Sequence, residues 1–148
     1  MAYTDLRKGR VSQPNLIYHI TTVTQNRTPH FASLTNGRKI VHQLKTLHDE
    51  GRAKTLCYVL MPDHLHWLMQ LHQGTLSDAV RLLKGRSAQA IGHPLWQANY
   101  FDHAVRQDED MRKMARYIIA NPLRAKLVDR IGDYPLWDAI WLDETLSG

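Results

Sequence analysis

Apolar and polar positions alternate with period two over residues 16–24: Ile17, His19, Thr21 and Val23 fall on one side, Tyr18, Ile20, Thr22 and Thr24 on the other. That period, with β-branched and aromatic residues, predicts a strand. Beyond a turn at 26–29 the period lengthens. Ile40, Val41, Leu44 and Leu47 recur at helical spacing and predict an amphipathic helix from about Thr35 to near Gly51. Residues 54–60 and 64–71 read as a second and third strand around Met61-Pro62-Asp63, where a proline that cannot donate to a ladder suits a turn between antiparallel partners. Ser77 is expected to cap a second helix, with Asp78 in its first turn and Ala79, Val80, Leu83, Ala90 and Ile91 on its apolar side. Gly85 inside that helix costs about 1 kcal/mol against Ala and suggests a kink or a close backbone approach. Residues 96–105 read as an aromatic-rich strand with Gln97, Asn99, Phe101 and His103 on one side. Asp108 is expected to cap a third helix, with Glu109 and Asp110 favourable at its positive end and Met111, Met114, Ala115 and Ile118 buried. Asn121-Pro122 ends or kinks it.

The resulting order, β-α-β-β-α-β-α, predicts one α+β domain over residues 1–148, with helices packed on a mainly antiparallel sheet. A chain of 148 residues with 43% hydrophobic and 22% charged positions is expected to bury about two-thirds of its unfolded surface without disulfides. No apolar run approaches the roughly 20 residues that span a bilayer, and the polar N-terminus has no signal-peptide core, so a cytoplasmic setting is expected. Cys57, the single cysteine, excludes zinc-finger spacings and reads as a reduced, buried thiol.

Charge adds a partner class. Residues 1–130 carry all 19 Lys and Arg against 10 of the 14 acids, a balance of +9, whereas residues 131–148 carry four acids and no base, −4. A basic body is equally compatible with a polyanionic partner, most often nucleic acid, and with a merely soluble basic protein. Arg7, Lys8 and Arg10 lie in an N-terminal arm (1–15) suited to phosphate or simply frayed. The acidic, aromatic tail (131–148) with Trp137 and Trp141 is open to two readings, a segment that occupies a basic groove and restrains it, or one that packs onto the core.

The candidate chemistry begins at His64 and His66. Two apart on a strand, they share one side while Leu65 and Trp67 point the other way. Two adjacent imidazoles make half a metal site, although a His-x-His pair also arises by chance. His19 reads as a structural histidine on a strand that can border the site. On the third helix Lys113, Tyr117 and Asn121, spaced i, i+4, i+8, form one polar ridge. Tyrosine is a feasible covalent nucleophile if a cation or base assists it, and Lys113 one turn back would favour the phenolate. His103 stands with Lys113 as an auxiliary candidate. Plainer readings apply to the same residues. Tyr117 can be a half-buried packing residue, and Asn121-Pro122 can cap another short helix over 123–128.

The stretch Tyr58-Val59-Leu60-Met61-Pro62-Asp63-His64-Leu65-His66, together with Arg116-Tyr117-Ile118-Ile119-Ala120-Asn121-Pro122-Leu123-Arg124-Ala125, resembles the single-tyrosine HUH transposases and within them the REP-associated tyrosine transposases. Trp96-Gln97, Phe101-Asp102-His103 and the ending at 134–142 are similar to further motifs of that branch, in the expected order over nearly the whole chain. Asp63 stands where many relatives have Asn. The resemblance implies a ferredoxin-like fold and cleavage and rejoining of single-stranded DNA. It casts Tyr117 as the nucleophile that forms a 5′-phosphotyrosine, and His64, His66 and Asn121 as ligands of Mg²⁺ or Mn²⁺. The implied substrate is a REP-type DNA hairpin with a single-stranded foot, bound by a monomer rather than a homodimer near the nucleoid. Arg7, Lys8, Arg10, Arg81, Lys84 and Arg86 are the DNA-contact candidates. A non-catalytic hairpin-binding protein on the same fold and a small metal-dependent hydrolase are the alternatives.

Overall fold

The period-two patterns in the first half of the chain become strands in the computed structural model, which describes residues 15–106 and 108–139, with the backbone alone at 108 and 109. β1 (Ile17–Val23) is followed by α1 (Leu34–Asp49), and β2 (Ala53–Met61) turns through Pro62-Asp63 into β3 (His64–Leu71). Next come α2 (Leu76–Ile91), β4 (Phe101–Val105), α3 (Asp108–Ile119), the one-turn α4 (Asn121–Arg124) and a two-residue β5 (Trp137–Asp138). The strands form one sheet in the order β4-β1-β3-β2-β5, every pair antiparallel. In its first four strands this is the α+β, ferredoxin-like arrangement expected from the element order.

Alternation sends the two sides of each strand into different surroundings. Tyr18, Ile20, Leu65, Trp67, Met69 and Leu71 meet Ile40, Leu44 and Leu47 of α1 and Ala79, Val80 and Leu83 of α2. On the other side Cys57, Val59 and Leu68 meet Ala115 and Ile118 of α3, with Val105 and Ala139 alongside. Both indoles of the first layer are satisfied locally, Trp67 Nε1 donating to Thr55 Oγ1 at 2.9 Å and Trp96 Nε1 to Ser87 Oγ at 2.8 Å.

Several details differ from the sequence expectations. Thr75, not Ser77, caps α2, its hydroxyl accepting from the Asp78 amide at 3.1 Å. Thr75-x-x-Asp78 has the spacing of a capping box, which a serine two residues later lacks. α2 runs through Gly85 as one continuous helix, and a Cβ there would meet no other part of the chain within 4 Å, the residue lining an open groove instead. Ala90 is exposed rather than part of the buried face. Of the strand expected over 96–105 only Phe101–Val105 forms, while Trp96 makes a single bridge to Thr24. Asp108 is the first residue of α3, not the residue before it, and its side chain lies outside the described residues. The short helix beyond Pro122 begins earlier than 123–128, and Ala120 holds its N-cap position with no side-chain cap bond. Asn121 turns back instead, its amide Nδ2 donating to the Ile118 carbonyl at 2.9 Å.

The described part of the acidic tail belongs to the body. Tyr134 donates its hydroxyl to the Leu60 carbonyl, and Leu136 packs over Gly37 of α1 so closely that a Cβ there would sit 2.5 Å from its Cδ1. Trp137 pairs with Val59 at the β2 edge, which is the packing alternative for this tryptophan. Trp141, Asp143 and Glu144 lie outside the described residues, as do Arg7, Lys8 and Arg10.

Candidate active site

His64 and His66 open β3 on the side that faces α3, because Leu65 and Trp67 take the side facing α1 and α2. Their ring centroids are 4.9 Å apart, edge to face, and both side chains are half-buried. Each imidazole is held by a neighbour at Nδ1. His64 Nδ1 donates to Asp63 Oδ1 at 2.7 Å, and Asp63 Oδ2 accepts from Arg27 at 3.1 Å. Burial alone raises the Asp63 carboxyl, but the hydrogen bonds from His64 and Arg27 outweigh it and leave its pKa below the usual value. His66 Nδ1 lies 3.1 Å from Nε2 of His19, with Thr21 Oγ1 3.4 Å from each.

The contact follows from strand register. Thr21 pairs with His66 across β1 and β3, which puts His19, two residues back on the same side, beside it; His19 in turn pairs with His103 on β4. Burial pushes His66 down to about 3, helped by the charges of His64, His19 and Arg124. Burial, then the charge of His103, brings His19 to about 4. Both rings are therefore neutral near pH 7, and one shared proton joins them. With that proton on His66 Nδ1, the lone pair of His66 Nε2 is left open.

Tyr117 stands on α3, the helix covering this same side of the sheet, and is 58% exposed. Its ring is covered by Arg124 of α4, whose guanidinium carbon lies 4.0 Å from the ring centroid. The same guanidinium donates from Nη2 to the Tyr117 carbonyl at 2.8 Å, while its charge acts on His66. Arg124 thus holds the tyrosine from both its ring and its backbone. Lys113, one turn before Tyr117, is exposed, and the cation on the Tyr117 ring face comes from Arg124. His103 is exposed at the far side of His19.

Among the described residues no group of three or more His, Cys, Asp or Glu is placed to hold a metal ion. The donor chemistry available is two imidazoles and the Asn121 amide oxygen, to which no described residue donates. That set suits a borderline divalent ion such as Mn²⁺ better than hard Mg²⁺.

The basic candidates on α2 belong to the opposite layer. Lys84 spans to the 97–99 segment, donating to the Gln97, Ala98 and Asn99 carbonyls at 2.8, 3.4 and 2.9 Å. Arg86 pairs with Glu50 at 2.8 Å, and Arg81 lies 3.6 Å from Asp78. Arg81 and Lys84 line a groove of about 430 Å³ with Trp96 and Tyr100. The described residues contain no helix long and apolar enough to cross a membrane.

Sequence reasoning left out Arg27 and Arg124 and treated His19 as structural. Arg124 lies seven residues beyond Tyr117, a spacing that shares a helical face, but Pro122 hides that continuity.

Several known proteins resemble this chain in sequence or in fold. A REP-associated tyrosine transposase of Escherichia coli K12 is 31% identical over 81 residues, which cover 53% of this chain and 49% of that protein. The chain therefore spans about half the length of that relative. A putative REP-associated tyrosine transposase of Haemophilus influenzae Rd is 25% identical over 137 residues, 80% of this chain and 77% of the relative. The fold matches a REP-associated tyrosine transposase solved bound to a REP hairpin, with a TM-score of 0.76 at 24% identity over 86% of this chain and 79% of that one. A putative transposase from Deinococcus radiodurans R1 matches at a TM-score of 0.55 and 22% identity, covering 74% of this chain and 93% of its own. Residues 12–121 match the family model described as "Transposase IS200 like", and by that span the chain belongs to the IS200-like transposase family.

Proposed function

We propose that this chain cleaves and rejoins single-stranded DNA at the foot of a hairpin, with Tyr117 as nucleophile and His64, His66 and Asn121 as the site of a divalent ion, Mn²⁺ or Mg²⁺. One observation carries the reading: an exposed tyrosine on the helix that covers the same side of the sheet as two adjacent imidazoles, with an arginine held on its ring. The family supports transposase-type chemistry, and the hairpin seen in the similar structure is the reason to choose a hairpin as partner.

In this reading the Tyr117 oxygen attacks a backbone phosphorus. A tyrosyl–phosphate bond forms to the 5′ side, the bond to the 3′ oxygen breaks, the phenol proton passes to solvent and the departing 3′ oxygen takes one up. When bound, the divalent ion draws charge from the phosphate oxygens. The chain's own part is orientation: Asp63 and His19 fix the rings of His64 and His66, and α3 sets the tyrosine above an otherwise open surface. Rejoining is the reverse displacement by a 3′-hydroxyl.

Incubation of hairpin DNA with Mn²⁺ and either wild type or Tyr117→Phe tests this. A covalent adduct formed by the wild type and absent from Tyr117→Phe is the expected result. Cleavage that survives Tyr117→Phe would replace the reading with metal-dependent hydrolysis, and binding without cleavage by the wild type would leave a hairpin-binding protein.

A further inference from the structure

Arg124 is used by no step above, although its guanidinium lies against the ring of the proposed nucleophile. We propose that its guanidinium is a catalytic residue of this reaction, gripping the scissile phosphate while it presents that phosphate to Tyr117. The inference rests on the reading of Tyr117 as nucleophile and adds the group that recognises the reacting anion.

Two contacts define its position. The guanidinium carbon lies 4.0 Å from the Tyr117 ring centroid, and Nη2 donates to the Tyr117 carbonyl at 2.8 Å. The bond to the carbonyl uses one donor of five, leaving four N–H groups in a planar fork that matches two non-bridging phosphate oxygens. No carboxylate among the described residues pairs with it, and the residue is exposed. An arginine held by a ring face and a neutral carbonyl keeps its full charge for an incoming anion, unlike Arg86 on Glu50.

The position is also built into the chain. Pro122, buried in the first turn of α4, restarts the helix after α3 ends at Ile119, and the Arg124 amide donates to the Ala120 carbonyl at 2.9 Å. The restart carries Arg124 back over the tyrosine one helix earlier. A phosphate seated on the fork would lie beside the tyrosine ring, where charge develops during displacement.

The test uses two assays on the full chain. With Mn²⁺ and hairpin DNA, Arg124→Ala is expected to slow adduct formation by roughly 10²–10³-fold and Arg124→Lys by less, with guanidinium ion partly restoring the alanine variant. In metal-free Tyr117→Phe protein, adding Arg124→Ala should reduce the slope of log affinity against log salt for the single-stranded foot by about 0.7, the value for one phosphate contact. Arg38→Ala, an exposed cation on α1 across the sheet, should leave both assays unchanged. An Arg124→Ala adduct rate within threefold of wild type, or a slope change equal to that of Arg38→Ala, would overturn the proposal. If Tyr117→Phe still cleaves, the nucleophile reading fails while the slope still decides whether Arg124 holds phosphate. Thermal melting of each variant checks that the exposed substitution leaves the fold intact.

Discussion

The two sides of the sheet are built from the same strands yet have opposite characters. Toward α1 and α2, every inward side chain of β3 (Leu65, Trp67, Met69 and Leu71) is fully buried. Toward α3, the same strand presents His64, His66 and Gln70 with only Leu68 fully covered. The difference comes from helix coverage: two sixteen-residue helices close one side, while one twelve-residue helix covers the other at the end near Val59 and Leu68. One side is spent on stability. On the other, packing stops short and leaves polar groups at the boundary of water, where their ionisation is tunable.

That contrast can be broken most severely from the closed side. Trp67→Ala removes a fully buried indole and its bond to Thr55, and should destabilise the fold by about 3–5 kcal/mol in denaturant titration. His66→Ala on the same strand should cost under about 1 kcal/mol, because a half-buried neutral imidazole is being removed. Comparable losses from the two would contradict the division.

Acid probes the open side next. His66 and His19 are lowered to about 3 and about 4 when folded, against 6.5 for an exposed histidine. Below pH 6.5 the unfolded chain therefore binds protons that the folded chain refuses, so stability is full above 6.5 and is lost as pH falls toward 4 and then 3. The loss should reach on the order of 2–3 kcal/mol for each ring by pH 4.5 and shrink by about half in His19→Gln, as followed by melting temperature across pH.

Ring anchoring comes next. Asp63→Ala frees the His64 ring and should weaken Mn²⁺ binding by about tenfold to a hundredfold in titration calorimetry with little change in melting temperature. Unchanged affinity would mean that the Asp63 bond does not orient a ligand. The smallest effect is expected at Arg86→Ala, which removes a partly exposed ion pair with Glu50 and should change stability by less than about 1 kcal/mol. A large drop in hairpin affinity in that variant would bring the α2 layer into the DNA contact.

Much of this architecture was legible in the residues, for reasons specific to each element. Alternation over β1 and β3 places His19 and His66 on known sides, and the Pro62-Asp63 break marks the hairpin, so the pair at 64 and 66 emerges with its orientation. Register is another matter. Nothing local says that Thr21 sits opposite His66, and without that pairing the bond between His19 and His66 is invisible. The irregular run at 96–100 misled for a physical reason: Trp96 and Tyr100 are buried by side-chain packing against Phe31, Ser87 and Ser77, with one backbone bridge, so their β propensity reflects burial rather than a ladder. Arg124 escaped because a proline normally ends a helical ridge, whereas here Pro122 begins a new turn that returns to the old one.

The seam between Leu136 and Gly37 bears on how a shortened form of this chain should be made. Tyr134, Leu136 and Ala139 are inserted among β2 and α1, so residues 134–139 act as cladding on the body although they share the acidic tail's sequence. A deletion starting at 133 would uncover Leu60, the glycine notch and the outer edge of a nine-residue strand together, and its product would report on misfolding and self-association. A stop placed after Ala139 keeps the cladding and removes only Trp141, Asp143, Glu144 and their neighbours, which makes it the cut that isolates what those last residues do.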